Sequence, residues 1–167
     1  MLFETKRLQV RKLNLSDALP FHKMQGNANV LRYTSGELKS FEENQEELKE
    51  LIQKYDDPKN GFWIWAIDNS FNQAFIGTAA IIVDEKNEAE IGYRFLEKHW
   101  GNGYGGEVAE ALIQYGLDKM KLKAIYAIVD IRNIASVKIL DKTSLVFTKE
   151  EWNEDGQCMD RFYRLEK

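Results

Sequence analysis

Residues 101–106 read Gly-Asn-Gly-Tyr-Gly-Gly, four glycines in six positions. Where such a run joins a strand to a helix, the missing side chains let the backbone come close to an anion. The free N–H groups of the helix's first turn then point at it. The chemistry suggested is phosphate binding, with a plain strand-to-helix loop as the competing reading. As a bare pattern the run is also G-x-G-x-x-G, the dinucleotide fingerprint, and Asp130 lies at a fitting distance downstream for a ribose contact. Context argues against that fold. Its fingerprint opens the first βαβ unit of a doubly wound sheet, whereas this loop follows an antiparallel meander and the chain ends soon after in a hairpin. A Walker A loop is excluded because no Gly-Lys-Ser/Thr follows.

The elements that position the loop follow from periodicity. Leu8 and Val10, set among Lys6, Arg7, Gln9 and Arg11, alternate as a half-buried strand does. Ser16 is the expected N-cap of a helix running to Gln25, which Gly26-Asn27 ends. A second helix is expected over 41–55, with Phe41, Leu48, Leu51, Ile52 and Tyr55 on one stripe and Glu42, Glu43, Glu46, Glu47 and Glu50 opposite. That acidic face reads as solvated; attraction of a cationic amine is its functional alternative. Residues 62–67, 74–83 and 88–96 read as strands, joined by turns so short that neighbours must be antiparallel. After the loop come a helix bearing Val108, Leu112, Tyr115 and Met120, and a continuous apolar run at 124–129 of the buried-strand kind. A short helix at 134–142 and a hairpin, 145–150 with 158–165, complete the order β, α, α, three strands, α, β, α, β, β.

Composition bounds the function. At 167 residues the chain can bury roughly 70% of its unfolded surface without a staple. Its single cysteine, Cys158, excludes an intrachain disulfide, and His22 and His99 stand isolated, so no metal is expected. Twenty-seven acidic against 23 basic residues, a net charge of −4, argue against a nucleic-acid partner. No stretch approaches the ~18 apolar residues of a membrane helix. The opening Met-Leu-Phe-Glu-Thr-Lys-Arg lacks an apolar signal core, so a cytoplasmic location is expected. With no linker or repeat, 1–167 is read as one domain.

Several runs together resemble one family. They are Thr5-Lys6-Arg7-Leu8, Glu90-Ile91-Gly92-Tyr93, Trp100 through Glu107, Asn133 with Ser136, Leu140-Asp141-Lys142, and Tyr163-Arg164-Leu165. In order, and over essentially the whole chain, they resemble the GNAT N-acetyltransferases, in particular the branch that includes the ribosomal-protein-alanine N-acetyltransferases. The resemblance implies an α+β (α/β) fold: a single acyl-CoA N-acyltransferase domain whose central mixed, mostly antiparallel sheet has about seven strands and about four flanking helices. It implies acetyl-CoA as co-substrate, its pyrophosphate lying on the amides of Gly101, Asn102, Gly103, Tyr104, Gly105 and Gly106, with Trp100 also among the cofactor-binding residues. The pantetheine arm would run between the strands at 88–96 and 124–129, with Asn133 and Ser136 beside it. The other partner implied is an amine acceptor, a small molecule or a protein N-terminus; homodimers are frequent in the family. The sequence departs from the pattern at Trp100, where Gln or Arg is usual, and at Gly106, where a Ser or Thr hydroxyl is common. It also departs at Leu140, where many relatives carry a tyrosine, and at Ser144, usually glycine.

Acetyl transfer from a thioester to an amine needs a neutral amine, a stabilised oxyanion and a proton for the leaving thiolate. Holding both reactants together removes much of the barrier without a covalent enzyme intermediate. By resemblance Glu90 is the candidate base, since a carboxylate in a partly dry cleft has a raised pKa. A solvent-facing strand glutamate is the competing reading. Ser136 is the candidate acid in place of the missing tyrosine; a serine that merely caps its helix is the alternative. The expected function is acetyl-CoA-dependent N-acetyl transfer by direct attack in a ternary complex. A non-catalytic acyl-CoA-binding module of the same fold is the alternative.

Overall fold

A computed structural model describes residues 1–34 and 36–167. Its strands form one eight-stranded sheet in the order β1-β2-β3-β4-β5-β6-β8-β7. They are β1 (Phe3–Glu4), β2 (Leu8–Lys12), β3 (Phe62–Asn69), β4 (Phe75–Val83), β5 (Glu88–Phe95), β6 (Ala124–Asp130), β7 (Val146–Asn153) and β8 (Cys158–Glu166). The helices are α1 (Ala18–Gln25), α2 (Ala28–Leu31), α3 (Phe41–Gln53), α4 (Tyr104–Gln114) and α5 (Ile134–Leu140). The sheet thus has one strand more than the seven expected, and there is one helix more than four. Both additions, β1 and α2, are only about one period long. Asn27 caps α2 by accepting from the Asn29 amide, and β1 is held by pairing with β2. The first helix also starts differently: Asn14, not Ser16, is the cap, closing a reciprocal box with Asp17 over a 3₁₀ turn at Leu15–Asp17.

The sheet is sandwiched. On one face α4 and α5 bury Leu8, Val10, Trp65, Ile67, Ala79, Ile81, Ala89, Ile91, Val108, Leu112 and Ile125 together. On the other, α1 and α3 pack Phe21, Met24, Leu48 and Leu51 against Ala66, Leu13 and Phe75. Ser40 and Glu43 form a capping box that starts α3, and its glutamate face points outward. Arg11 ties the layers by donating to Asp68 of β3 at 2.5 Å and to Asp17 at 2.8 Å.

One strand pair is incomplete. β5 and β6 are parallel neighbours, yet they register only over Glu88–Glu90 against Ala124–Tyr126. Beyond that point β5 continues against β4 and β6 continues against β8, so the two part and leave a wedge within the sheet. Next to it β4 bulges at Ile76–Gly77. A Cβ on Gly77 would lie 2.1 Å from the Arg94 carbonyl oxygen, so only glycine allows this approach.

Candidate active site

The glycine loop sits where β5 hands over to α4. Gly101 and Gly103 both have φ of +76°, the left-handed region that other residues reach at a cost. The helix begins earlier than a loop running to Gly106 suggests: Tyr104, Gly105 and Gly106 form its first turn. Gly105 faces inward, where a Cβ would come 2.6 Å from Ile139 Cδ1 and 3.3 Å from Tyr93 Cε2. Gly106 faces outward, and a Cβ there would meet nothing within 4 Å. Among the described residues no hydrogen bond engages the amides of residues 101–106, whereas the next, Glu107, donates to Gly103. This leaves a row of donors at a helix N-terminus with open space before it.

Side chains brace the loop rather than line it. Trp100 donates its indole N–H to the Phe95 carbonyl at 3.0 Å, and Asn102 donates to the carbonyls of His99 and Trp100. Arg7 of the N-terminal segment is the main brace. It donates to Glu107 Oε2 at 2.7 Å and to the Asn102 carbonyl at 2.8 Å, and lies 4.8 Å over the Tyr104 ring. Thr5 Oγ1 and the Arg7 amide complete the grip on Glu107 and, against the pull of burial, hold its carboxyl below the ordinary range. Sequence reasoning gave Arg7 no role, because its partners lie about a hundred residues away.

Glu90 stands at the apex of the wedge, registered with Ile82 of β4 and Tyr126 of β6. It is half-buried, and no hydrogen bond or ion pair engages its carboxylate among the described residues. Burial first, and the charge of Asp160 second, push its pKa up. Its neighbour on the same strand face, Glu88, behaves oppositely: Arg164 grips both its oxygens, at 2.6 and 2.9 Å, and pulls its pKa down. Glu88 is thus tied up in an ion pair with Arg164, and Glu90 is left as the unpaired carboxylate on this face of β5.

On the other face of β5, Tyr93 points under the glycine loop. Its hydroxyl is buried without a close hydrogen-bond partner and faces Ser136, and burial pushes its pKa up to about 12. Asn133 caps α5 by accepting from the Ser136 amide at 3.2 Å. Its carboxamide N–H groups stay available. The structure therefore gathers the loop, Asn133, Ser136 and Tyr93 along one side of the wedge and Glu90 at its apex, on the opposite face of β5. The signal for Tyr93 was its place in the Ala89–Ile91–Tyr93 alternation of inward residues.

The chain and its fold resemble known proteins. The family model described as acetyltransferase (GNAT) domain matches residues 7–145. An uncharacterized N-acetyltransferase, p20, of Bacillus licheniformis is 32% identical over 153 residues, covering 87% of this chain and 82% of p20. The uncharacterized protein YkkB of Bacillus subtilis is 28% identical over 163 residues, covering 94% and 93%. Among solved structures, a GNAT-family acetyltransferase from Bacillus anthracis superposes with a TM-score of 0.85 at 18% identity, covering 98% of this chain and 96% of that one. A spermidine N-acetyltransferase from Vibrio cholerae in complex with CoA and spermine gives 0.81 at 21% identity, with 97% and 96% coverage. The chain belongs to the GNAT acetyltransferase family and is an N-acetyltransferase.

Proposed function

We propose that this protein moves an acetyl group from acetyl-CoA to a primary amine by direct attack, with both substrates bound at once. The observation that carries the reading is the wedge itself, with unengaged amides at one end and a carboxyl of raised pKa at its apex. The residues fit the cofactor. Gly101 and Gly106 leave open space before free amides suited to a pyrophosphate, and the parted edges of β5 and β6 offer backbone groups to a pantetheine arm. Acetyl-CoA supplies an acyl carbon already activated as a thioester. Glu90 then accepts a proton from the amine, directly or through one water, and Ser136 Oγ donates one to the departing sulfur, with Tyr93 behind it. Asn133 orients the arm through its free carboxamide N–H groups. The likeness to a spermidine N-acetyltransferase supports an amine acceptor. The reading places the reaction in the cytoplasm, and it retains the ribosomal-protein-alanine branch as a proposal of kinship, not of substrate.

A thermal melt with acetyl-CoA, coenzyme A, NAD or ATP, followed by a thiol-release assay over an amine panel, tests this reading. At 100 times its dissociation constant a ligand stabilises by ~2.7 kcal/mol, so acetyl-CoA should raise Tm by about 5–11 °C. In the amine panel, Ser136→Ala should lower turnover while the acetyl-CoA shift is kept. A shift with NAD or ATP alone, or no amine-dependent thiol release, would overturn the assignment.

The brace at the loop has its own expected result. Arg7→Ala removes charge-assisted hydrogen bonds to Glu107 and to the Asn102 carbonyl, from a side chain about one-third exposed. Calorimetry should show acetyl-CoA binding weakened about 10-fold, and Tm should fall by roughly 2–6 °C. Wild-type affinity in this variant would mean that the loop holds its shape unaided.

A further inference from the structure

Glu90, Gly92 and Arg94 alternate onto one face of β5, registered with Ile82, Ala80 and Thr78 of β4. A Cβ built on Gly92 would touch only the Ala80 Cβ, at 3.7 Å, so the sheet surface between the two charged residues is open. Arg94 is unusual among the arginines. Arg7, Arg11, Arg132, Arg161 and Arg164 each meet a carboxylate at 2.5–2.8 Å, and Arg32 is exposed to water. Arg94 is half-buried, yet among the described residues no carboxylate oxygen lies within 4.0 Å of it. One of its five N–H groups donates to the neutral Gln25 Oε1 at 2.9 Å. The charge that favours it, Glu47, is held by Lys39 at 2.7 Å and lies 3.5 Å from Gln25 Nε2. Burial accordingly lowers the guanidinium's pKa. A cation withdrawn from water without an anion costs stability unless something else supplies one.

We propose that Arg94 reads an anionic group, a carboxylate or a phosphate, on the same acceptor whose amine is presented to Glu90. The inference deepens the N-acetyltransferase reading above and rests on it. A planar guanidinium with free N–H groups matches such an oxyanion in bidentate fashion. The open floor at Gly92 and Ala80 gives the acceptor's backbone room between the two ends. It follows that polycationic amines, which would set a positive charge against Arg94, are poor acceptors here despite the structural likeness to a spermidine N-acetyltransferase.

The test compares matched acceptors long enough to reach from Glu90 toward Arg94, four strand residues or about 13 Å apart, by thiol release: ω-amino acids and short peptides, their carboxamides, long-chain aminoalkyl phosphates, and spermidine. With the wild type, kcat/KM should be about 10- to 100-fold higher for a carboxylate or phosphate acceptor than for its neutral partner. Spermidine should be the poorest of the set. Arg94→Gln should remove that ratio, leave neutral acceptors within about threefold, and leave the acetyl-CoA-induced shift in Tm unchanged. Arg94→Glu should invert the preference toward diamines. In parallel, a carboxylate acceptor should raise the Tm of the coenzyme A complex of the wild type but not of Arg94→Gln. If amines are acetylated but the ratio survives Arg94→Gln, or spermidine is preferred, this inference alone falls. If no amine is acetylated, the catalytic reading falls and takes the inference with it.

Discussion

Glu90→Gln is expected to lower turnover at pH 7 by about 10²- to 10⁴-fold, the range that a positioned general base contributes, while leaving Tm the same or higher. The two effects share one cause. Burial, seconded by the charge of Asp160, favours the protonated carboxyl and places its folded pKa above the ordinary glutamate value. The ionised side chain is therefore a burden on the fold. Relative to the unfolded chain, its contribution is favourable only in acid and is lost as pH rises through the raised folded pKa. Glutamine carries no such burden at neutral pH, so the Tm advantage of the variant should appear there and vanish in acid. The acid limb of the wild-type kcat/KM profile should report the same raised pKa and be absent from the variant. A kcat within twofold of wild type across that range would remove Glu90 from the mechanism.

Gly106→Glu is expected to weaken acetyl-CoA binding by 100-fold or more without harming the fold. The side chain would enter open space, since a Cβ at this position meets nothing within 4 Å. Exchanging a helical glycine for glutamate gains up to about 0.5–1 kcal/mol of helix propensity. A carboxylate in the first turn also suits the helix dipole. The same carboxylate would occupy the ground a pyrophosphate needs and repel it. Calorimetry with acetyl-CoA, beside a melt showing unchanged or raised Tm, separates this from a folding defect. Tight binding in the variant would move the phosphate site elsewhere. Gly106→Ala is the control and should bind nearly as the wild type does.

The glycine loop was legible because three of its glycines answer to the fold. Gly101 and Gly103 need positive φ, and Gly105 is pressed against Ile139. Gly106 answers to no contact, which is why its reason is sought in a ligand. The three-strand meander and α4 were equally plain, since long alternating or helical runs report burial directly. What escaped were elements only about one period long, β1 and α2, and pairings between distant residues. Arg7 is brought to Glu107 from a hundred residues away, and Tyr93 is made to face Ser136, only by the tertiary fold. Arg94 looks in the sequence like any polar strand residue; its lack of a carboxylate is a fact about neighbours, which no spacing rule contains. The expected cap at Ser16 failed for a smaller reason, because Asn14 two residues earlier could close a reciprocal box with Asp17.

The parting of β5 and β6 has a further consequence. From Ile91 to Phe95 the backbone of β5 has β4 on one side and no strand on the other, so the sheet carries an unfinished seam in its middle. Proteins usually blunt such edges with proline, charge or a covering element. Charge is present here, in Glu90 and Arg94 of β5, while on the proposed reading the backbone row itself stays open for a pantetheine arm. A pantetheine arm and a stray β-strand would compete for the same row of donors and acceptors. On that reading, loss of acetyl-CoA would leave the seam free to pair with a strand of another chain.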